Sequence, residues 1–135
     1  MIIINDTNYD TFELDRMFRN TANRLHINTG EMYVEINPTR SRFCGEASFP
    51  NLIRLYVPPH KKLGDINYLF GHELAHLRGI SRKLMKQGRY SEAEQEADAE
   101  VERLGKRLSF EPSEEAKQKS GIQSDLYAEE DKEKF

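Results

Sequence analysis

The first half of the chain combines one helical pattern of apolar residues with three short strand-like patterns. Apolar residues recur at helical spacing over residues 10–26, namely Leu14, Met17, Phe18 and Leu25. Asp10 and Glu13 have the spacing of a capping pair, and Asn28-Thr29-Gly30 is typical of a break after the helix. Short apolar runs bounded by turn residues then predict strands over residues 32–36, 42–48 and 52–57.

The second half of the chain favours two further helices. Asp65 is a candidate N-cap for a helix that runs to Gly79, because glycine is a common helix stop. Ser91 is a candidate N-cap for another helix, which we expect to end at about Leu108, before Pro112. The order of elements is therefore helix, three strands, helix and helix, which predicts an α+β fold with a three-stranded mixed sheet.

The composition changes after Phe110. Residues 111–135 contain eight acidic and four basic residues and few apolar ones, as expected of an acidic C-terminal tail or a loosely docked segment. We therefore predict one domain over residues 1–110, followed by this tail. One hypothesis is that a carboxylate of this tail folds back and blocks the preceding domain, which would then be a latent form; a disordered, solubilising tail is the alternative.

The global composition excludes several classes of protein. The net charge is −3, so nothing demands nucleic acid or an anionic membrane as a partner. Cys44 is the only cysteine, which rules out an internal disulfide and fits a reducing compartment. The N-terminus lacks a basic region before its three isoleucines, and no apolar run approaches a membrane span. These features predict a soluble, cytoplasmic protein.

The stretch GHELAHLRG, residues 71–79, contains the candidate chemistry. His76 lies about 40° from His72 around a helix, so both imidazoles leave the same side. Both sides of this helix are largely apolar, which predicts a buried helix. Two unpaired histidines in a protein interior would be costly, and a metal ion explains them. With this spacing they can share one Zn²⁺, and Glu73 can reach a bound water as general base and proton donor without ligating.

The third ligand cannot be a histidine. The other two histidines lie upstream, and Arg82 occupies the position of a third ligand in a metzincin-like HExxHxxG pattern. On the helix SEAEQEADAEVERLGKRL, Glu94 and Asp98 fall in the apolar stripe, whereas Glu92, Glu96, Glu100 and Glu102 fall outside it. A carboxylate in an apolar stripe is expensive unless it binds something. We therefore predict Glu94 as the third ligand and Asp98 as a hydrogen-bond partner of a ligating histidine.

These motifs resemble those of gluzincin metallopeptidases. His72-Glu73-Leu74-Ala75-His76 matches HExxH, and Glu94-Gln95-Glu96-Ala97-Asp98 is similar to the ExxAD motif of the family's glutamate helix. The continuation to Phe110-Glu111-Pro112 resembles membrane peptidases of the CAAX-processing type. The size and element order are similar to those of the small soluble minigluzincins. The resemblance covers roughly residues 10–112 and implies a small zincin-like domain with zinc peptidase activity; minigluzincins look like latent forms.

The resemblance also implies a substrate-binding strand. The segment RFCGEAS is similar to the antiparallel edge strand that forms the upper rim of a zincin cleft and binds an extended peptide. A plain edge strand is the alternative. Gly45 would let a peptide backbone approach closely. The substrate-strand residues would be Phe43, Cys44, Gly45, Glu46 and Ala47.

Further roles remain open at this point. Tyr68 shares the ligand side of its helix and is a candidate oxyanion stabiliser, although core packing with a satisfied hydroxyl is the favoured explanation. The leading function is a zinc endopeptidase acting on a peptide or protein. The alternatives are an ImmA-like regulatory protease that acts on a repressor, against which Asp98 argues mildly, and a metal-stabilised binding module. The oligomeric state is monomer or homodimer.

Overall fold

The computed structural model describes residues 1–79 and 81–104, so the predicted acidic tail and its proposed inhibitory role lie outside the described residues. The described part has an α+β architecture, as predicted. Its elements, in chain order, are β1 (Ile2–Asn5), α1 (Thr11–Arg24), β2 (Tyr33–Pro38), β3 (Cys44–Ser48), β4 (Leu52–Val57), α2 (Leu63–Arg78), α3 (Ser81–Lys86) and α4 (Tyr90–Leu104).

The four strands form one mixed sheet in the order β1-β2-β4-β3. Strands β1, β2 and β4 are parallel, and β3 runs antiparallel to β4 at the edge. Along β4, Ile53, Leu55 and Val57 are buried and alternate with partly exposed residues, as in a sheet with one covered face. The sheet thus presents β3 as an open, antiparallel edge strand, in agreement with the strand type predicted for this segment.

Helix α1 packs against α2 beneath this sheet. Asp10 caps α1 by accepting a hydrogen bond of 2.9 Å from the backbone N–H of Glu13, as its position in the sequence predicts. The rings of Phe18 on α1 and Phe70 on α2 stack with their centroids 4.1 Å apart. Both phenylalanines belong to a core that also includes residues of β2 and β4, so α2 is held between α1 and the sheet.

Helix α2 is buried along almost its whole length, as its two apolar faces predict. Every residue from Gly64 to Leu77 is buried. Its close approach to α4 depends on Gly71, because a Cβ there would lie 3.1 Å from the Val101 side chain. Two helices that cross so closely bring side chains from their facing turns into direct contact.

Five details of the predicted fold were wrong. The sheet has four strands rather than three, because β1 was not recognised, and α3 was also missed. Helix α2 begins at Leu63 with Lys62 at its N-cap, so Asp65 lies inside the first turn instead of capping it. Helix α4 begins at Tyr90, one residue before the predicted cap at Ser91. Phe43 precedes the strand that was predicted to contain it.

Within the described residues, no helix is long and apolar enough to cross a lipid bilayer.

Candidate metal centre

The two histidines of α2 have their Nε2 atoms close together. Nε2 of His72 and Nε2 of His76 lie 3.1 Å apart, with their rings nearly perpendicular. Both residues are buried, at 5% and 2% exposure. Histidines one turn apart on a helix project from the same side, which is why the spacing in the sequence brings these atoms together.

Helix α4 supplies a carboxylate to the same point. Glu94 Oε2 lies 2.8 Å from Nε2 of His72, and its Oε1 lies 3.0 Å from Nε2 of His76. Glu94 is 5% exposed. Two imidazole nitrogens and one carboxylate therefore converge in a buried position where α2 and α4 meet. The choice of Glu94 over Glu96 agrees with this arrangement, since Glu96 is half-buried and lies 3.9 Å from the guanidinium of Arg103.

The remaining ring nitrogens have partners that fix the orientation of each imidazole. Nδ1 of His72 lies 2.7 Å from Oδ1 of Asp98, one turn after Glu94 on α4. Nδ1 of His76 lies 3.3 Å from Oγ of Ser81, a fully buried residue at the start of α3. When Nδ1 carries the proton, Nε2 keeps a lone pair for a metal ion. Asp98 lies where the sequence predicts, whereas Ser81 was missed.

Charges around the cluster favour a cation at its centre. Burial acts to lower the pKa of His72, but hydrogen bonds to Asp98 and Glu94 hold this pKa well above its ordinary range. Burial acts to raise the pKa of Glu94, but hydrogen bonds from His72 and His76 bring it well below its ordinary range. Burial lowers the pKa of His76, which keeps this imidazole neutral. Buried carboxylates beside a neutral imidazole form an environment that stabilises positive charge.

The donor set fits Zn²⁺. Zinc takes nitrogen and carboxylate ligands at about 2.0–2.2 Å in tetrahedral geometry, so its ligand atoms lie roughly 3.4 Å apart. The three separations observed among the nitrogens and oxygens are 2.8–3.1 Å, so a small expansion would admit the ion. Two histidines and one glutamate also leave a fourth position for water, as catalytic zinc sites require.

Glu73 lies beside this donor set. One of its carboxylate oxygens and one ring nitrogen each of His72 and His76 lie within 4.8 Å of one another, and the residue is buried. Of the two glutamates, Glu94 is the better candidate ligand because its oxygens contact both Nε2 atoms. Glu73 is then a second buried carboxylate next to the centre, as the prediction of a general base requires.

Strand β3 passes directly over Glu73. A Cβ on Gly45 would lie 3.1 Å from Cγ of Glu73, so the absence of a side chain there allows the contact. Gly45 and Ala47 are buried and face inwards, whereas Cys44 and Glu46 are partly exposed. Phe43 is buried just before the strand. The structure thus places Gly45 against Glu73, and the binding role of the residues predicted for the substrate strand stays a prediction.

Tyr68 and Glu100 are both buried, but they contact different parts of the molecule. Tyr68 is buried with Val101 and packs against Leu25, so its ring fills space between helices; its role as oxyanion stabiliser stays a prediction. Glu100 was predicted to lie outside the apolar stripe of α4, and it is nevertheless buried, at 7% exposure. It faces the turn after α2, where a Cβ on Gly79 would lie 2.6 Å from its Oε2.

No protein-family model matches the chain, and no curated protein or solved structure matches it. The geometry of the site is therefore the basis on which a function can be proposed.

Proposed function

We propose that the protein is a zinc-dependent metallopeptidase of gluzincin type, with His72, His76 and Glu94 as the metal ligands. The observation that carries the proposal is the convergence of two Nε2 atoms and one carboxylate in a buried position beside a second glutamate. In this proposal His72, His76 and Glu94 supply three protein ligands, whereas a structural zinc site is closed by four, and the remaining position is left for water beside Glu73.

Each residue has a distinct task in this proposal. Asp98 and Ser81 hold the two imidazoles in position through their Nδ1 atoms. A bound zinc ion would polarise the attacking water and the scissile carbonyl. Glu73 takes a proton from that water and later donates it to the leaving amine nitrogen. Burial of Glu73, at 2% exposure, strengthens these electrostatic interactions.

The open edge of β3 provides a place for the substrate. An extended peptide adds to an exposed sheet edge through main-chain hydrogen bonds, independently of its side chains. Strand β3 is such an edge, and its Gly45 lies against Glu73. A peptide bound there would have its backbone beside the general base, which supports an endopeptidase.

The proposal is tested by measuring zinc and activity together. Purified full-length protein is expected to bind one zinc ion per chain and to hydrolyse casein. A strong chelator should abolish hydrolysis, and zinc should restore it. One zinc per chain without hydrolysis would instead favour a metal-stabilised binding module. Absence of zinc binding would reject both functions.

A further inference from the structure

The edge strand β3 has a cation at each end. At the start, Nζ of Lys61 lies 4.9 Å from the centre of the Phe43 ring, which precedes β3. At the far end, the guanidinium of Arg82 lies 5.7 Å from the centre of the Phe49 ring, which follows β3. Both separations are within the range of a cation–π contact. The two aromatic rings thus hold Lys61 and Arg82 at the two ends of the edge strand.

These contacts also show that β3 and α2 run in the same direction. Lys61 precedes α2 and contacts the start of β3, whereas Arg82 follows α2 and contacts the end of β3. The lengths agree, because a helix of 16 residues extends about 24 Å and six strand residues extend about 20 Å. The segment of chain between Phe43 and Phe49 is therefore about 20 Å long, and Gly45, which lies against Glu73, is within it.

The segments that contribute these cations are unusually basic. Residues 39–62 contain five Lys and Arg and a single acidic residue, Glu46. Residues 78–91 contain five Lys and Arg and no acidic residue, although the whole chain has a net charge of −3. Glu46 is already engaged by Arg54 and Tyr56. Of these cations, Arg54 is paired with Glu35 and Arg89 with Glu92, whereas Lys61 and Arg82 lie at the two ends of β3.

We propose that the edge of β3 selects extended acidic peptides, with Lys61 and Arg82 recognising carboxylates about six residues apart. The spacing follows from Phe43 and Phe49, which flank β3 and are six residues apart, because an extended peptide has about the same rise per residue as the strand with which it pairs. Gly45 is two residues from one end and four from the other, so the carboxylates lie on both sides of the scissile bond. The inference rests on the proposed peptidase function for its site.

The test measures peptide affinity with a catalytically disabled protein. Zinc-loaded, full-length Glu73→Gln is titrated into fluorescent peptides of otherwise neutral sequence, with binding followed by anisotropy. One peptide carries two Glu residues six apart, a second carries them two apart, and two more carry Gln or Lys at the six-residue spacing. We expect the first peptide to bind most tightly and its affinity to fall between about 0.05 M and 0.5 M salt.

Single substitutions test whether Lys61 and Arg82 cause the preference for the acidic peptide. Lys61→Gln and Arg82→Gln, each added to Glu73→Gln, should weaken binding of the first peptide about two- to five-fold, as expected for one exposed ion pair. Both substitutions should leave the affinity for the Gln peptide unchanged. Arg16→Gln removes the same charge from the exposed surface of α1 and should change neither affinity. Arg82→Lys keeps the charge and should retain most of the affinity.

Three results would overturn the proposal: equal binding of the Glu, Gln and Lys peptides, equal effects of Arg16→Gln and Lys61→Gln, or equal affinity for the two Glu spacings. Failure of the peptidase function is a separate result. It appears as absent casein hydrolysis by wild-type protein at full zinc occupancy, and the binding assay does not depend on hydrolysis.

Discussion

Oδ1 of Asp98 lies 2.7 Å from Nδ1 of His72, and this contact orients the opposite ring nitrogen towards His76 and Glu94. Partners of this kind fix the tautomer and raise the basicity of a ligating imidazole. We expect Asp98→Ala to weaken zinc affinity about 10- to 100-fold without abolishing binding. Competition with a chromophoric chelator measures this change. An unchanged zinc affinity would contradict the positioning role.

Glu94 is predicted to be the third ligand, and its neighbour Glu96 provides a matched control. Glu94→Ala should lose zinc and some stability, because metal binding is linked to folding and the substitution leaves two ligands. Glu96→Ala should retain one zinc per chain, since its side chain is far less buried. Zinc analysis and thermal unfolding measure both effects. Full zinc occupancy in Glu94→Ala together with zinc loss in Glu96→Ala would show that Glu96 is the ligand and that the assignment of Glu94 is wrong.

Ser81 is predicted to act on zinc binding through His76. Ser81→Ala removes the buried hydroxyl that lies 3.3 Å from Nδ1 of His76. We expect a weaker zinc affinity than in the wild type, but a smaller loss than in Asp98→Ala, because a neutral hydroxyl forms a weaker hydrogen bond than a carboxylate. Ser81→Thr keeps the hydroxyl and is expected to restore part of the affinity. Identical affinities in wild type and Ser81→Ala would show that the contact is incidental.

The positions of the site residues on the helices could be predicted from the sequence because helical geometry is periodic. The spacing of His72 and His76, and that of Glu94 and Asp98, places each pair on one side of a helix whatever the rest of the fold does. The same reasoning predicted the burial of α2, because its apolar residues occupy both sides.

The parts that were missed are short or depend on tertiary contacts. Strand β1 has four residues, too few for an alternating pattern to be recognised, and Ile2 remains 56% exposed. Ser81 reaches His76 only because α3 follows α2 after a turn, which no spacing rule predicts. Glu100 is buried because α4 packs against the end of α2, and this contact is not encoded in the periodicity of α4 alone.

Glu73 is predicted to be required for the reaction and not for the metal. Glu73→Gln replaces the carboxylate with an amide of nearly the same size, which cannot accept the proton of the attacking water. We expect full zinc occupancy and a fall in peptide hydrolysis of about 10²- to 10⁴-fold. Steady-state kinetics on a fluorogenic peptide, with zinc measured on the same sample, tests this expectation. Undiminished hydrolysis would rule out the proposed mechanism.

Gly45 is predicted to matter because β3 approaches Glu73 so closely. A Cβ at position 45 would lie 3.1 Å from Cγ of Glu73 and 3.1 Å from Cδ2 of Leu55. Because at least one neighbour must move, we expect Gly45→Ala to cost about 1–3 kcal/mol of unfolding free energy. Displacement of Glu73 should also lower kcat for peptide hydrolysis while zinc occupancy stays complete, since no ligand is touched.

Gly30→Ala is the matched control for this substitution. Its Cβ would meet only the Asn28 side chain, at 3.2 Å, in an exposed turn far along the chain from the site. We expect Gly30→Ala to leave kcat unchanged, whatever its small effect on stability. Wild-type kcat and wild-type stability in Gly45→Ala would contradict this prediction. Such a result would mean that β3 can move away from α2 without cost. The close contact between the edge strand and Glu73 would then have no part in the reaction.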